Sequence, residues 1–168
     1  MSFTDFFAAI SAEPLKAVAN HWQEARGQKP MPSWHDIQPS HIAAQLKLVW
    51  VYKYDPVTEL FTGRLAGNVI EAVFGKSFRG TPMKELYPGH DYDRLYSRAR
   101  RVIAEPALYR GDGKVFEHFE RIGSGERIIL PLANDGAHGD GILGATIYEM
   151  ATGVASDDTG ENERWFGV

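Results

Sequence analysis

The chain has 168 residues, a net charge of −4 and no cysteine. That length suits one domain burying roughly 70% of the surface its unfolded form exposes, so no covalent staple is needed. The absence of cysteine excludes disulfides, thiolate metal sites, cysteine nucleophiles and cysteinyl-flavin photochemistry, and the mild, interspersed charge offers nucleic acid no attractive field.

The opening MSFTDFFAAISAEPLK carries an early acidic residue and no long apolar core, which is unlike a secretory signal. No window approaches the roughly 20 apolar residues of a membrane helix. A cytoplasmic protein that makes no membrane contact is expected. Phe3, Phe6, Phe7 and Ile10 recur at helical spacing, and Leu15, Val18, Trp22 and Ala25 form a second stripe. Ser11 reads as the N-cap of that second helix, Pro14 is tolerated in its first turn, and Gly27 stops it. This apolar stripe has two readings, a cover for the domain's own core and a face for a second copy of the chain.

Pro30, Pro32 and Pro39 punctuate residues 27–45, which are expected to cross the surface extended, with one helical turn around 39–45. Leu46 to Lys53 is β-branched and aromatic and reads as a strand, turning at Asp55-Pro56 into a second strand over 60–66. Arg64 to Gly80 then changes character within a few residues, from strand through Gly67 to a short helical face, with Gly75 and Gly80 behind it. These glycines are expected to supply positive φ or close backbone approach. Pro82 to Leu86 is a short helical turn. Residues 91–104 form the clearest helix, with Tyr92, Leu95, Tyr96, Ala99, Val102 and Ile103 on one face and Arg94, Arg98 and Arg101 on another. Strand signals follow at 107–110, 115–122, 127–133 and 142–150, with Gly111-Asp112-Gly113, Gly123-Ser124-Gly125 and Asn134-Asp135-Gly136 read as turns. The order predicts an α+β domain with an antiparallel sheet and helices on one face. Residues 1–27 form an N-terminal helical extension, 28–152 the domain, and 153–168 a loose polar tail containing Trp165-Phe166.

Met31-Pro32-Ser33-Trp34-His35-Asp36-Ile37-Gln38-Pro39, Arg64-Leu65-Ala66-Gly67, Phe74-Gly75, Arg79-Gly80 and Ile129-Leu130-Pro131-Leu132, in that order, resemble the standalone PAS-like proteins of alphaproteobacteria, formerly a domain of unknown function. The resemblance covers roughly residues 20 to 150. It implies a five-stranded antiparallel PAS-like sheet cupping a small cavity, often in a homodimer, and carries no agreed ligand or catalytic residues.

The candidate ligand-binding residues are Trp50, Tyr52, Arg64, Phe74, His118 and Tyr148, all from segments that should surround the cup. The same aromatics would equally build a closed core. Arg64 has two readings, an anchor forking a carboxylate ligand and a structural tie to Glu71 or Asp36. His118 sits in an alternating strand, as a pocket hydrogen-bonder or facing solvent. No pair of histidines has metal-ligand spacing, His90 is the one position suited to a haem axial ligand, and neither metal nor cofactor is expected. Asp135, His138 and Asp140 read as hairpin-loop chemistry before a cation site. The arginines at 94, 98, 100 and 101 alternate with acids and read as a solvated helix face; nucleic acid is not an expected partner.

The function expected is that of a sensory or interaction module. It would bind a small molecule or a partner signalling protein and act through homodimerisation or a separate output protein, since no kinase, cyclase or DNA-binding segment is read in the chain. Two alternatives stand beside it, an enzyme with Arg64 as anchor and His118 as base, and a purely structural interaction module.

Overall fold

The structure, a computed structural model, describes residues 2–87, 89–118, 121–152 and 160–168, without the side chains at 90, 116–118, 121, 122 and 150–152. The chain runs α1 (Phe3–Ala9), α2 (Glu13–Arg26), two 3₁₀ segments (Trp34–Asp36 and Pro39–Leu48), β1 (Val49–Asp55), β2 (Leu60–Ala66), α3 (Asn68–Phe74), α4 (Met83–Leu86), α5 (His90–Ala104), β3 (Ala107–His118), β4 (Arg121–Leu132), β5 (Gly141–Thr152) and β6 (Glu161–Gly167). The strands make one antiparallel sheet in the order β2-β1-β5-β4-β3-β6.

The expected antiparallel α+β sheet is present, with a sixth strand added. Residues 161–167 lie in the segment read as a loose tail, yet they pair with β3 from Ala107↔Gly167 to Gly113↔Glu161. Trp165 and Phe166 point to opposite faces, as the period of two requires, and each joins the core on its side. The strand predicted from Leu46 begins at Val49, because 3₁₀ geometry persists through Leu48.

Alternation along the strands gives the sheet two buried faces. Val49, Val51, Leu108, Ile128, Leu130, Leu143 and Ala145 face α1 and α2, where Phe6, Leu15, Val18 and Trp22 are fully buried. Trp50, Tyr52, Tyr54, Tyr109, Ile129 and Ile142 face α3, α4 and α5. Helices therefore cover both faces, where one was expected, and the N-terminal stripe packs on its own domain. Each such side chain contributes about 1.5–3 kcal/mol on burial, and Trp22 adds a hydrogen bond from Nε1 to the Pro131 carbonyl at 2.8 Å.

The start of α2 is held from a distance. Its N-cap is Ala12, not the predicted Ser11. The Glu126 carboxylate of β4 accepts the Ser11 and Ala12 amides at 2.9 and 2.8 Å, supplying the anionic acceptor a helix N-terminus lacks. Arg110 of β3 donates to Glu126 at 2.8 Å and neutralises it.

The glycines read as turns at 111–113 and 123–125 lie inside β3 and β4, where Gly113 pairs with Gly125. Asn134-Asp135-Gly136 is a true turn, its Gly136 at φ 79°. At Gly67 the need is space, since a Cβ there would stand 2.1 Å from the Leu46 carbonyl oxygen; Gly75 closes α3 in the left-handed region at φ 69°.

Candidate functional site: the polar interior beneath α5

Successive inward positions of the strands converge on one charge. Arg127 of β4 pairs across to Gly111 on β3 and to Thr146 on β5, so its side chain rises from mid-sheet toward α5. It is 6% exposed, and its Nε lies 2.8 Å from Glu161 Oε1 of β6, which is 3% exposed. The contact is an ion pair without the alignment of a hydrogen bond. Glu161 Oε2 accepts Arg98 Nη1 of α5 at 2.8 Å, and Arg98 also donates to Glu163 at 2.7 Å. One buried carboxylate thus serves two guanidiniums. Arg127 Nη2 donates to the Val115 carbonyl. Gly111 makes this possible, because a Cβ at that position would stand 2.1 Å from Glu161 Oε1 and 2.6 Å from the Tyr109 hydroxyl.

Four phenols gather around the pair: Tyr52 of β1, Tyr87 after α4, Tyr109 of β3 and Tyr148 of β5. Burial raises all of their pKa values. That of Tyr148 is pushed up to about 12, with the nearby Arg127 charge pulling the other way. Burial works to lower the Arg127 pKa, and Glu161 with the tyrosines more than offsets it, leaving a net rise. At neutral pH the interior therefore holds a fixed guanidinium and neutral hydroxyls able to donate.

The Tyr52 hydroxyl is buried and has no hydrogen-bond partner among the described residues. Such a group costs about 1–3 kcal/mol while it stays unpaired. The Tyr109 hydroxyl sits beside the Glu161 carboxylate outside hydrogen-bonding geometry, so Tyr52 is the clearer case.

Of the sequence-derived candidates, Trp50, Tyr52, Phe74 and Tyr148 share this layer. Trp50 donates from Nε1 to Thr146 Oγ1 at 2.9 Å, its indole filling space that a Cβ at Gly144 would occupy at 2.2 Å. Tyr52 stands against Trp50 and Phe78, with ring centroids at 5.8 and 5.6 Å. Phe74 joins through Phe78 and Tyr87 at 5.3 and 4.9 Å. Arg64 lies elsewhere. It is exposed on the α1–α2 face with its guanidinium 4.9 Å over the Trp34 ring, and it ties to neither predicted carboxylate. Asp36 is taken by Lys29 and Ser33, and Glu71 accepts the Phe78 amide. The His118 side chain lies outside the described residues, as does that of His90.

Sequence reading missed Arg127, Glu161, Tyr87 and Tyr109 as a group. The available signal was an arginine leading the apolar run Ile128-Ile129-Leu130, a charge that must find a partner if the run is core. Three of the four arginines of α5 read as solvated are tied down, while Arg94 is exposed as expected. Arg98 clips β6, Arg100 lies 4.8 Å over Tyr54, and Arg101 lies 4.1 Å over Trp165. In the loop after β4, Asp135 accepts the Ala137 and His138 amides and Asp140 accepts that of Asn134, which is loop chemistry. No group of three or more metal-ligating side chains occurs among the described residues.

Sheet order and covering helices together define an α+β domain. The chain belongs to the PAS domain family, which matches residues 10–147. PAS domains are sensory and signalling modules. No curated protein and no solved structure matches the chain. No described helix is long and apolar enough to cross a membrane.

Proposed function

We propose that this protein is a PAS sensory module that receives a small polar molecule between α5 and the sheet. The reading rests on the unpartnered Tyr52 hydroxyl beside the buried Arg127–Glu161 pair. A closed structural core gains nothing from an unpaired donor, whereas a ligand acceptor or a bridging water would satisfy it. Trp50, Phe74 and Tyr148 supply apolar and aromatic surface around the same interior, and Tyr52 with Arg127 supplies orientation.

Binding would be communicated through Glu161. A ligand acceptor that draws on Arg127 changes the charge balance on the carboxylate that also holds Arg98, and so biases the docking of β6 and α5. The recipient would be a second copy of the chain or a separate output protein. No catalytic role is assigned, and Arg64, on the opposite face, does not serve as substrate anchor in this interior.

The test is thermal-shift screening of the purified protein against small carboxylates, phenols and amides, repeated with Tyr52→Phe. At least one class should raise the melting temperature of the wild type and lose most of that effect in the variant. If no compound stabilises the wild type and a high-resolution structure shows water alone on the Tyr52 hydroxyl, the sensor reading fails.

A further inference from the structure

A concave site lies on the other side of the sheet. β1 and β2 pair regularly as Tyr52↔Gly63 and Val51↔Leu65, which leaves Arg64 as the extra residue of a β-bulge. A bulge breaks alternation and re-aims one side chain. Here it places Arg64 on the same face as Leu65, over Trp34, at the wall of a cleft of about 240 Å³. Lys53, from the neighbouring strand, and the exposed His35 flank the same cleft.

The charges of this cleft do not cancel internally. Neither Arg64 nor Lys53 forms a salt bridge among the described residues, and Lys53 has a Coulombic interaction with Asp55, which does not line the cleft. The one acid lining the cleft, Asp140, turns both carboxylate oxygens to the Asn134 amide at 3.2 and 3.1 Å. The contact with the indole ring occupies none of the N–H groups of Arg64 in a hydrogen bond, and a guanidinium with free N–H groups grips a carboxylate through two of them. A bulge that aims an unpaired arginine, an aromatic platform beneath it and a lysine beside it thus converge on one opening in a protein whose net charge is negative.

We infer that this cleft is a binding site for a small carboxylate, with Arg64 as the fork, Lys53 as the supporting charge and Trp34 as the platform. At roughly 30 Å³ per water displaced, the volume corresponds to about eight waters, the scale of a small ligand such as a simple aromatic acid. The site lies on the opposite face of the sheet from the interior beneath α5; Tyr52 and Tyr54 of β1 line it as well, but its charged groups, Arg64 and Lys53, do not belong to that interior.

Titration followed by NMR of the indole N–H groups tests the assignment, with benzoate as probe and benzamide as its neutral counterpart. Benzoate should shift the Trp34 signal saturably and leave the Trp50 signal in place, and benzamide should shift neither. Arg64→Gln should weaken benzoate at least tenfold and Lys53→Met severalfold. Arg64→Lys, which keeps the charge and loses the fork, should resemble Arg64→Gln. Because Arg64 and Lys53 are exposed, unchanged amide spectra of the free variants confirm that they fold. No saturable shift at Trp34, equal binding by Arg64→Gln, or a response at Trp50 instead would each overturn the inference.

Discussion

Gly111 shows how a residue with no side chain determines the chemistry of others. Its missing Cβ is the room in which the Glu161 carboxylate reaches Arg127 and the Tyr109 hydroxyl. Gly111→Ala should therefore act as the loss of a buried counter-ion and not as a mild strand substitution. Breaking one partner from such a pair costs about 3–5 kcal/mol, and urea denaturation should show a drop of that order, where Ala at an unobstructed strand glycine would gain about 0.5–1 kcal/mol. A loss below about 1 kcal/mol would mean that the carboxylate has somewhere else to go. The sequence displayed Gly-Asp-Gly and Gly-Ser-Gly as turn signals because short-range chemistry cannot separate a glycine that turns the chain from one that admits a neighbour. Gly113 and Gly125 face each other across two strands, and nothing within a few residues of either one shows it.

At the scale of elements, the recurrent device is a short element completed by a remote charge. α2 begins on Ala12, a poor cap, and takes its acceptor from Glu126 more than a hundred positions later. Glu126→Gln removes the charge that holds both amides and Arg110, and hydrogen bonds to charged groups are worth about 1.5–3 kcal/mol. The variant should lose about 2 kcal/mol and exchange the backbone amides of α2 faster than those of α5. Equal acceleration in both helices would show that Glu126 stabilises the sheet and not the helix start. This is also where sequence reading stopped. α5, β1 and β2 were legible because each carries its own period of apolar residues, while β6 was not. Its inward residues are Glu161, Glu163 and Trp165, a pattern that looks polar unless the arginines awaiting it on α5 and β4 are already in place.

For the molecule as a whole, acid is the condition that reaches a joint between layers. His21 of α2 accepts the Gln38 amide on Nε2 at 2.9 Å and sits 5.2 Å from His41. Burial, then the His41 charge, lowers its pKa below the ordinary 6.5, with Glu24 acting weakly the other way. A depressed histidine binds its proton more readily unfolded than folded. Stability is therefore full above about 6.5 and falls as the pH drops from there toward the folded value. The melting temperature should decline across that window, and His21→Gln should flatten the decline; an identical slope in the variant would assign the acid sensitivity elsewhere. The β2 edge of the sheet is also occupied, since Gly63 exchanges hydrogen bonds with Gly80 and Thr81. Strand addition by a second copy would thus be blocked at β2.

The placement of β6 sets an order of events during synthesis. The residues that match the PAS family end at 147, whereas the counter-ion of Arg127 is residue 161. A nascent chain can pair β1 to β5 and pack its helices before then, but the inner face of the sheet holds an unneutralised guanidinium until Glu161 emerges. β6 therefore acts as a latch. The inner face of the sheet is complete only once that strand has docked, and a chain waiting for it is the state most exposed to chaperones and proteases.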